Sequence, residues 1–243
     1  MVVIPAHNES VSLPKCLRAM LTAAACAPIP VDIVVVLDDC SDGSSRFAGR
    51  FGPDVHFVTV EAGNVGAARA AGFSYARSLC GGDDEGFSFA RSLREENDSW
   101  YATTDADSRV DPDWLLRQLC ADADMVLGVV RVADWRRMPA AVIRRYLHDY
   151  HSKATDGHDH IHGANMGFRA DAYWRLGGFR ALATGEDVEL VDRFEAAGCR
   201  IHRDATLSVT TSARPNGRAP GGFAEHLRNL TAPVKRSSAR DFV

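Results

Sequence analysis

The sequence predicts an α/β protein built around a mostly parallel sheet. In its first half, apolar runs of strand length alternate with helical patterns, which is how βαβ units read. Residues 31–37 form a nearly continuous apolar run, of the kind that suits a sheet covered on both faces. A chain of 243 residues is enough for one large α/β domain and too short for two comfortable ones.

Residues 1–5 read as the first, buried strand. Ser12 and Pro14 then open a helix, with Leu13, Leu17, Met20 and Leu21 at helical spacing. The run 31–37 is the second strand and 55–60 the third; 66–79 is an alanine-rich helix. A fourth strand follows at 100–104, a short helix at 112–121 and another strand at 125–132. The second half is less regular. Residues 138–153 have helical periodicity, with Arg136, Arg137, Arg144 and Arg145 nearby. They read as a solvated helix face or as an amphipathic surface for a lipid-linked acceptor. From Arg214 onward Pro, Gly and Arg dominate, which predicts a loop, a short helix around 223–230 and a frayed end. The segment Gly-Phe-Ser-Tyr-Ala-Arg-Ser-Leu at 72–79 recurs almost intact at 86–93. This tandem duplication reads as a surface insertion or, in the alternative, a lid.

The net charge of -4 gives no basic field for nucleic acid. The six cysteines form no CxxC pair and read as reduced thiols. No stretch approaches the ~20 apolar residues that span a bilayer, and no basic-then-apolar leader precedes the first strand. The expectation is a cytoplasmic protein with no transmembrane segment, peripheral membrane contact remaining open.

Three strands end in acid-bearing corners. Asp105-Ala-Asp107 follows the fourth strand, and two carboxylates on alternate residues there can turn toward one point. Such a pair suits Mg²⁺ or Mn²⁺ while leaving positions for phosphate oxygens, and open α/β sheets bind ligands at strand carboxyl ends. Asp38-Asp39-Cys40-Ser41-Asp42-Gly43 follows the second strand and reads as a turn, or as a carboxylate for a base edge or ribose. Pro5-Ala-His-Asn-Glu9 makes the same kind of corner after the first. Asn64-Val-Gly66-Ala-Ala-Arg69 opens a helix, where Arg69 either reaches a diphosphate or is a surface arginine. Gly185-Glu186-Asp187 opens another helix; its acids serve the helix dipole or supply a general base.

These motifs, together with Gly163-Ala164-Asn165-Met-Gly-Phe168, occur in the order seen in glycosyltransferase family 2, and the chain resembles that family from residue 1 to about 198. The resemblance implies a GT-A fold: a Rossmann-like nucleotide-binding sheet flanked by helices, with a smaller acceptor-side region. It implies one domain, with a nucleotide-binding half at about 1–110 and an acceptor-binding half at about 111–243. Pro5, Glu9 and Asp39 would surround the base and ribose, with Asn64 and Arg69 nearby. Asp107, assisted by Asp105, would hold a Mn²⁺ or Mg²⁺ diphosphate. Asp187 would be the catalytic base with Glu186 beside it, and Gly163, Ala164 and Asn165 would line the donor-sugar and acceptor region. The implied activity is inverting transfer from a nucleoside-diphosphate sugar, UDP before GDP, to a small-molecule, glycan or lipid-linked acceptor.

The departures from the family pattern are local. The duplication lengthens the connection before Asp105. Val209-Thr-Thr-Ser212 stands near the position of a family histidine, and Arg214 or Arg218 in the following glycine-rich loop would supply charge to the leaving group. His202 is either a displaced metal ligand or a structural histidine. The cluster His151, His158, His160 and His162 is either a metal tract or an acceptor loop. Three rival functions fit parts of the pattern: a haloacid-dehalogenase-type phosphatase, a nucleotidyltransferase, and a degenerate sugar-nucleotide-binding module. The late position of Asp105-Ala-Asp107 argues against the first. The missing glycine-rich opening loop argues against the second, and the intact acidic corners against the third.

Overall fold

The computed structural model describes residues 1–81, 99–132, 135, 139–151, 158–182 and 184–212. Within them lie strands β1 (Val2–Ala6), β2 (Ile33–Asp38), β3 (Val55–Val60), β4 (Trp100–Thr103), β5 (Arg109–Val110), β6 (Met125–Val132), β7 (Met166–Arg169) and β8 (Ile201–Thr211). The helices are α1 (Leu13–Cys26), α2 (Val65–Gly81), α3 (Trp114–Cys120), α4 (Ala140–His151), α5 (Ala170–Arg175) and α6 (Glu186–Ala196). The second copy of the duplicated segment, and Arg214 and Arg218 with the loop and helix expected there, lie outside the described residues.

The eight strands form one sheet in the order β3-β2-β1-β4-β7-β6-β8-β5. Strands β3, β2, β1 and β4 are all parallel, as the first half of the sequence predicts. The second half departs from that expectation. β7 inserts antiparallel between β4 and β6, β8 runs parallel to β6, and β5 closes the edge antiparallel to β8. One consequence fixes the site. The carboxyl ends of β1, β2, β4, β6 and β8 share one edge of the sheet, and the amino end of β7 joins them there, with Met166 opposite Thr103.

Both faces of the sheet are covered, and the alternation of side chains along β1 divides them. Val2, Ile4 and Ala6 face a core completed by Leu13, Leu17 and Met20 of α1 and Trp114 of α3. Val3 faces the opposite core with Phe73 of α2, Tyr101, Phe168, Tyr173 and the α6 residues Leu190, Val191 and Phe194. Phe73 stacks on Tyr101 at 4.9 Å between centroids. Helix α2 lies close on the sheet because Gly72 lacks a side chain: a Cβ there would come within 2.5 Å of Val3 Cγ1 and 2.7 Å of Val36 Cγ2.

Asn165 ties the inserted strand into this frame. It is fully buried; its Nδ2 donates to the carbonyls of Val129 and Leu207 at 2.8 Å each, and its Oδ1 accepts from Trp114 Nε1 at 2.8 Å. The side chain therefore holds β6, β8 and α3 together. Asn165→Ala leaves three buried polar groups unpaired and is expected to cost about 3 kcal/mol or more. In a domain of this size that lowers the thermal midpoint by about 6–12 °C, measurable by calorimetry.

Candidate active site

The loops at the shared sheet edge carry nearly every residue singled out in the sequence. After β1, Asn8 adopts a left-handed conformation (φ 55°), and its Oδ1 accepts the N–H groups of Ser41 at 2.7 Å and Asp42 at 3.1 Å. The β1 and β2 corners are thus one unit. Glu9 is buried beside them, and its N–H donates to Ser44 Oγ at 3.1 Å. Pro5 is buried in β1 opposite Val36, so it shapes the floor of the corner. Asp39 is exposed at φ 47° and its N–H bonds to the Val60 carbonyl at 2.9 Å. That conformation is one Asp tolerates better than most residues, and it leaves the carboxylate outside the fold's own bonding.

The neighbouring Asp38 has a different job, which the sequence did not separate from that of Asp39. It is buried, and its carboxylate accepts the N–H groups of Ala62, Gly63 and Asn64 at 2.7, 2.9 and 3.1 Å. Asn64 continues the chain of caps: its Oδ1 accepts the Ala67 N–H at 3.0 Å, and its Nδ2 donates to the Leu182 carbonyl at 2.6 Å. Asn64 therefore opens α2 and fastens it to the loop before α6.

At the end of β4, Asp105 and Asp107 bracket the buried Ala106 in a turn closed by the Ser108 N–H to the Asp105 carbonyl at 2.9 Å. Thr211, at the carboxyl end of β8, accepts from Ser108 Oγ at 3.1 Å and donates to Asp107 Oδ1 at 3.4 Å. Asp105 Oδ1 accepts from Arg69 Nη2 at 2.8 Å, and Arg69 Nη1 pairs with Glu186 at the start of α6. Asp187, next along, accepts the Gly163 N–H at 2.8 Å and the Val188 N–H at 2.9 Å. Ala164 is buried beneath this loop. The turn, the loop before β7 and the first turn of α6 thus converge on one place.

Three carboxylates (Asp105, Glu186 and Asp187) act on the cation Arg69, and a fourth, Asp107, acts on Asp105. Burial works against the arginine's charge, but Asp105, Glu186 and Asp187 outweigh it and keep the guanidinium cationic. Removal of water raises the Asp105 carboxyl to about 6; Arg69 opposes the rise, and Asp107 and Glu186 add to it. The Cys16 thiol at the start of α1 is pushed up by burial and then by Asp107, Asp105 and Glu9. All the described cysteines are free.

This surplus of negative charge suits a divalent cation. Among the described residues no three of His, Cys, Asp or Glu converge on one metal position. A pair of carboxylate oxygens is nonetheless the donor set that holds Mg²⁺ or Mn²⁺ when phosphates complete the shell. His202 does not join it. It pairs with Val126 at the amino end of β6, whereas Thr211 pairs with Val132 at the other end. Six residues of strand, roughly 20 Å, separate the two ends, so His202 is out of reach of a cation held at Asp105 and Asp107. His158 is fully buried, its ring nitrogens 3.1 Å from the carbonyls of Leu127 and His160, so it belongs to the frame of the loop. No helix among the described residues is long and apolar enough to cross a membrane.

Comparison with known proteins agrees with this geometry. A family model described as glycosyl transferase family 2 matches residues 1–177. No curated protein matches the sequence. Among solved structures, S. aureus TarS 1-349 in complex with UDP superposes with a TM-score of 0.54 at 13% identity, over 88% of this chain and 60% of that one. Longer S. aureus TarS gives 0.56 at 13% identity, over 88% and 36%. The mannosyltransferase PcManGT from Pyrobaculum calidifontis, in complex with GDP-Man and Mn²⁺, gives 0.54 at 18% identity, over 89% and 57%. The chain spans three-fifths or less of the length of these solved chains. At these identities the likeness is one of fold, and the fold is GT-A.

Proposed function

The chain belongs to glycosyl transferase family 2, and from that footing we propose that it transfers a sugar from a nucleoside-diphosphate sugar to an acceptor hydroxyl in one inverting displacement. The convergence of Asp105, Asp107, Glu186 and Asp187 at the sheet edge, with Asp187 on the acceptor side, carries this reading. The nucleotide half, about 1–110, presents Asp39 and Glu9 to the base and ribose. The acceptor half, about 111–243, presents Asp187 and the loop containing Gly163.

Asp187 takes the proton of the acceptor hydroxyl as its oxygen bonds to the anomeric carbon. The bond from that carbon to the diphosphate oxygen breaks, and the nucleoside diphosphate leaves with the electron pair. The N–H groups of Gly163 and Val188 fix the carboxylate for this step. Asp107 and Asp105 would hold Mn²⁺ or Mg²⁺, which when bound neutralises the leaving diphosphate. Arg214 or Arg218 remains our proposal for further positive charge there. UDP is the favoured nucleotide, given the UDP complex of TarS, with GDP next, given the GDP-Man complex of PcManGT.

The test is release of nucleoside diphosphate from UDP-glucose, UDP-N-acetylglucosamine and GDP-mannose, with Mn²⁺ and with water as acceptor. Cleavage of one donor, abolished by chelation, is expected. Failure to cleave any, with intact nucleotide binding, would favour a sugar-nucleotide-binding module.

A further inference from the structure

We infer that Arg69 is a positioning residue that locks the donor-side turn to the acceptor-side base without itself touching the donor. The inference rests on the glycosyltransferase reading of the site and assigns Arg69 a role different from the diphosphate contact its position in the sequence suggests.

Arg69 is only 2% exposed. Both of its terminal nitrogens are committed, Nη2 to Asp105 Oδ1 at 2.8 Å and Nη1 to Glu186. Its Nε is sealed from solvent and has no partner among the described residues, so it is closed to a ligand in the cleft as well. Each terminal nitrogen keeps a second N–H, but the side chain is only 3% exposed, so the guanidinium as a whole is turned away from the solvent a phosphate would enter from. The ring of Phe179 lies against it, 5.5 Å from Cζ to the centroid.

Gly163 completes the enclosure. A Cβ at that position would stand 2.6 Å from Arg69 Nη2 and 2.7 Å from Cζ and Nη1, so only glycine lets the loop lie on the guanidinium plane. With the loop seated there, the Gly163 N–H reaches Asp187 Oδ2 at 2.8 Å. One planar cation therefore sets four things: the Asp105 turn, the Glu186 end of α6, the height of the Gly163 loop and, through that loop, the orientation of Asp187. The carboxylates it joins stand 36 and 117 residues from it along the chain. A lysine in its place has a single point charge and no rigid fork, so it can serve one carboxylate well or both poorly.

Two readouts separate this role from phosphate binding. One is kcat and KM for cleavage of whichever of UDP-glucose, UDP-N-acetylglucosamine or GDP-mannose the wild type accepts. The other is the Kd of the matching UDP or GDP measured without metal, which a direct contact from Arg69 to the diphosphate would change and a shift of the Asp105 metal turn would not. Arg69→Met is expected to lower kcat by about 100-fold, the size of effect that follows a small misplacement of catalytic groups. Its nucleotide Kd should stay within about threefold of wild type, and Arg69→Lys should recover part of kcat. Gly163→Ala keeps every charge and stands in if Arg69→Met fails to fold. It should lower kcat by about tenfold or more at unchanged Kd. A Kd that weakens in step with kcat in either folded variant would overturn the inference and make Arg69 a ligand of the diphosphate; an unchanged kcat would also overturn it. Wild-type protein that binds neither nucleotide would overturn the underlying reading, and the inference with it, before any variant is measured.

Discussion

Asp187→Asn is expected to lower turnover by about 10²–10⁴-fold, the range for loss of a general base, while nucleotide affinity is kept. The reason lies in what holds the side chain. Both carboxylate oxygens accept backbone N–H groups, Oδ2 from Gly163 and Oδ1 from Val188. Asparagine offers one acceptor and one donor, so one of those N–H groups must meet an amide donor. The substitution removes the base and also loosens the loop that seats it. Neither change reaches the corners after β1 and β2, proposed to take the base and ribose, where Asn8, Asp38 and Asn64 tie the loops to one another. Initial rates of donor cleavage, with a nucleotide titration on the same preparation, check both halves. Turnover close to wild type would remove Asp187 from the mechanism.

Asp107→Ala carries the second large effect, on binding. Asp105 is already bonded to Arg69, while Asp107 Oδ1 accepts from Thr211 Oγ1 at 3.4 Å. In the proposed function Asp107 is the principal ligand for a cation shared with phosphates. Its loss is expected to weaken Mn²⁺-dependent nucleotide binding by about 100-fold or more, since a cation on a diphosphate contributes several kcal/mol. Binding measured without metal should change little. If the titration curves of Asp107→Ala and wild type coincide in Mn²⁺, the metal is not held at this turn.

The first half of the fold was open to a reader of the sequence because its strands are parallel and two of them, β1 and β2, are buried at every position. Runs such as Ile33–Asp38, buried at every position, leave no other reading. The second half hid its strands for physical reasons. β7 is only Met166–Arg169 and earns its place by lying between β4 and β6, a fact of tertiary pairing. β8 reads Ile-His-Arg-Asp-Ala-Thr-Leu-Ser-Val-Thr-Thr, and a register shift against Gly128 and Val129 breaks its alternation. The acidic corners were legible one by one, and so was their order along the chain. Their joining was not. Nothing local to Arg69 tells that Glu186 will meet it, nor that Gly163 must be glycine to cover it. The paired aspartates at 38 and 39 show the same limit: identical neighbours, one capping a loop from inside and one exposed to solvent. Asn165 shows it too, for nothing local to it tells that it will bond β6, β8 and α3 at once.

The most direct measurement is a calorimetric titration of wild-type protein with UDP and with GDP, each in the presence and absence of Mn²⁺. The account predicts that one of the two binds with micromolar affinity and that Mn²⁺ strengthens it. Binding of neither nucleotide under either condition would contradict it, leaving the gathered carboxylates without the ligand that their arrangement calls for.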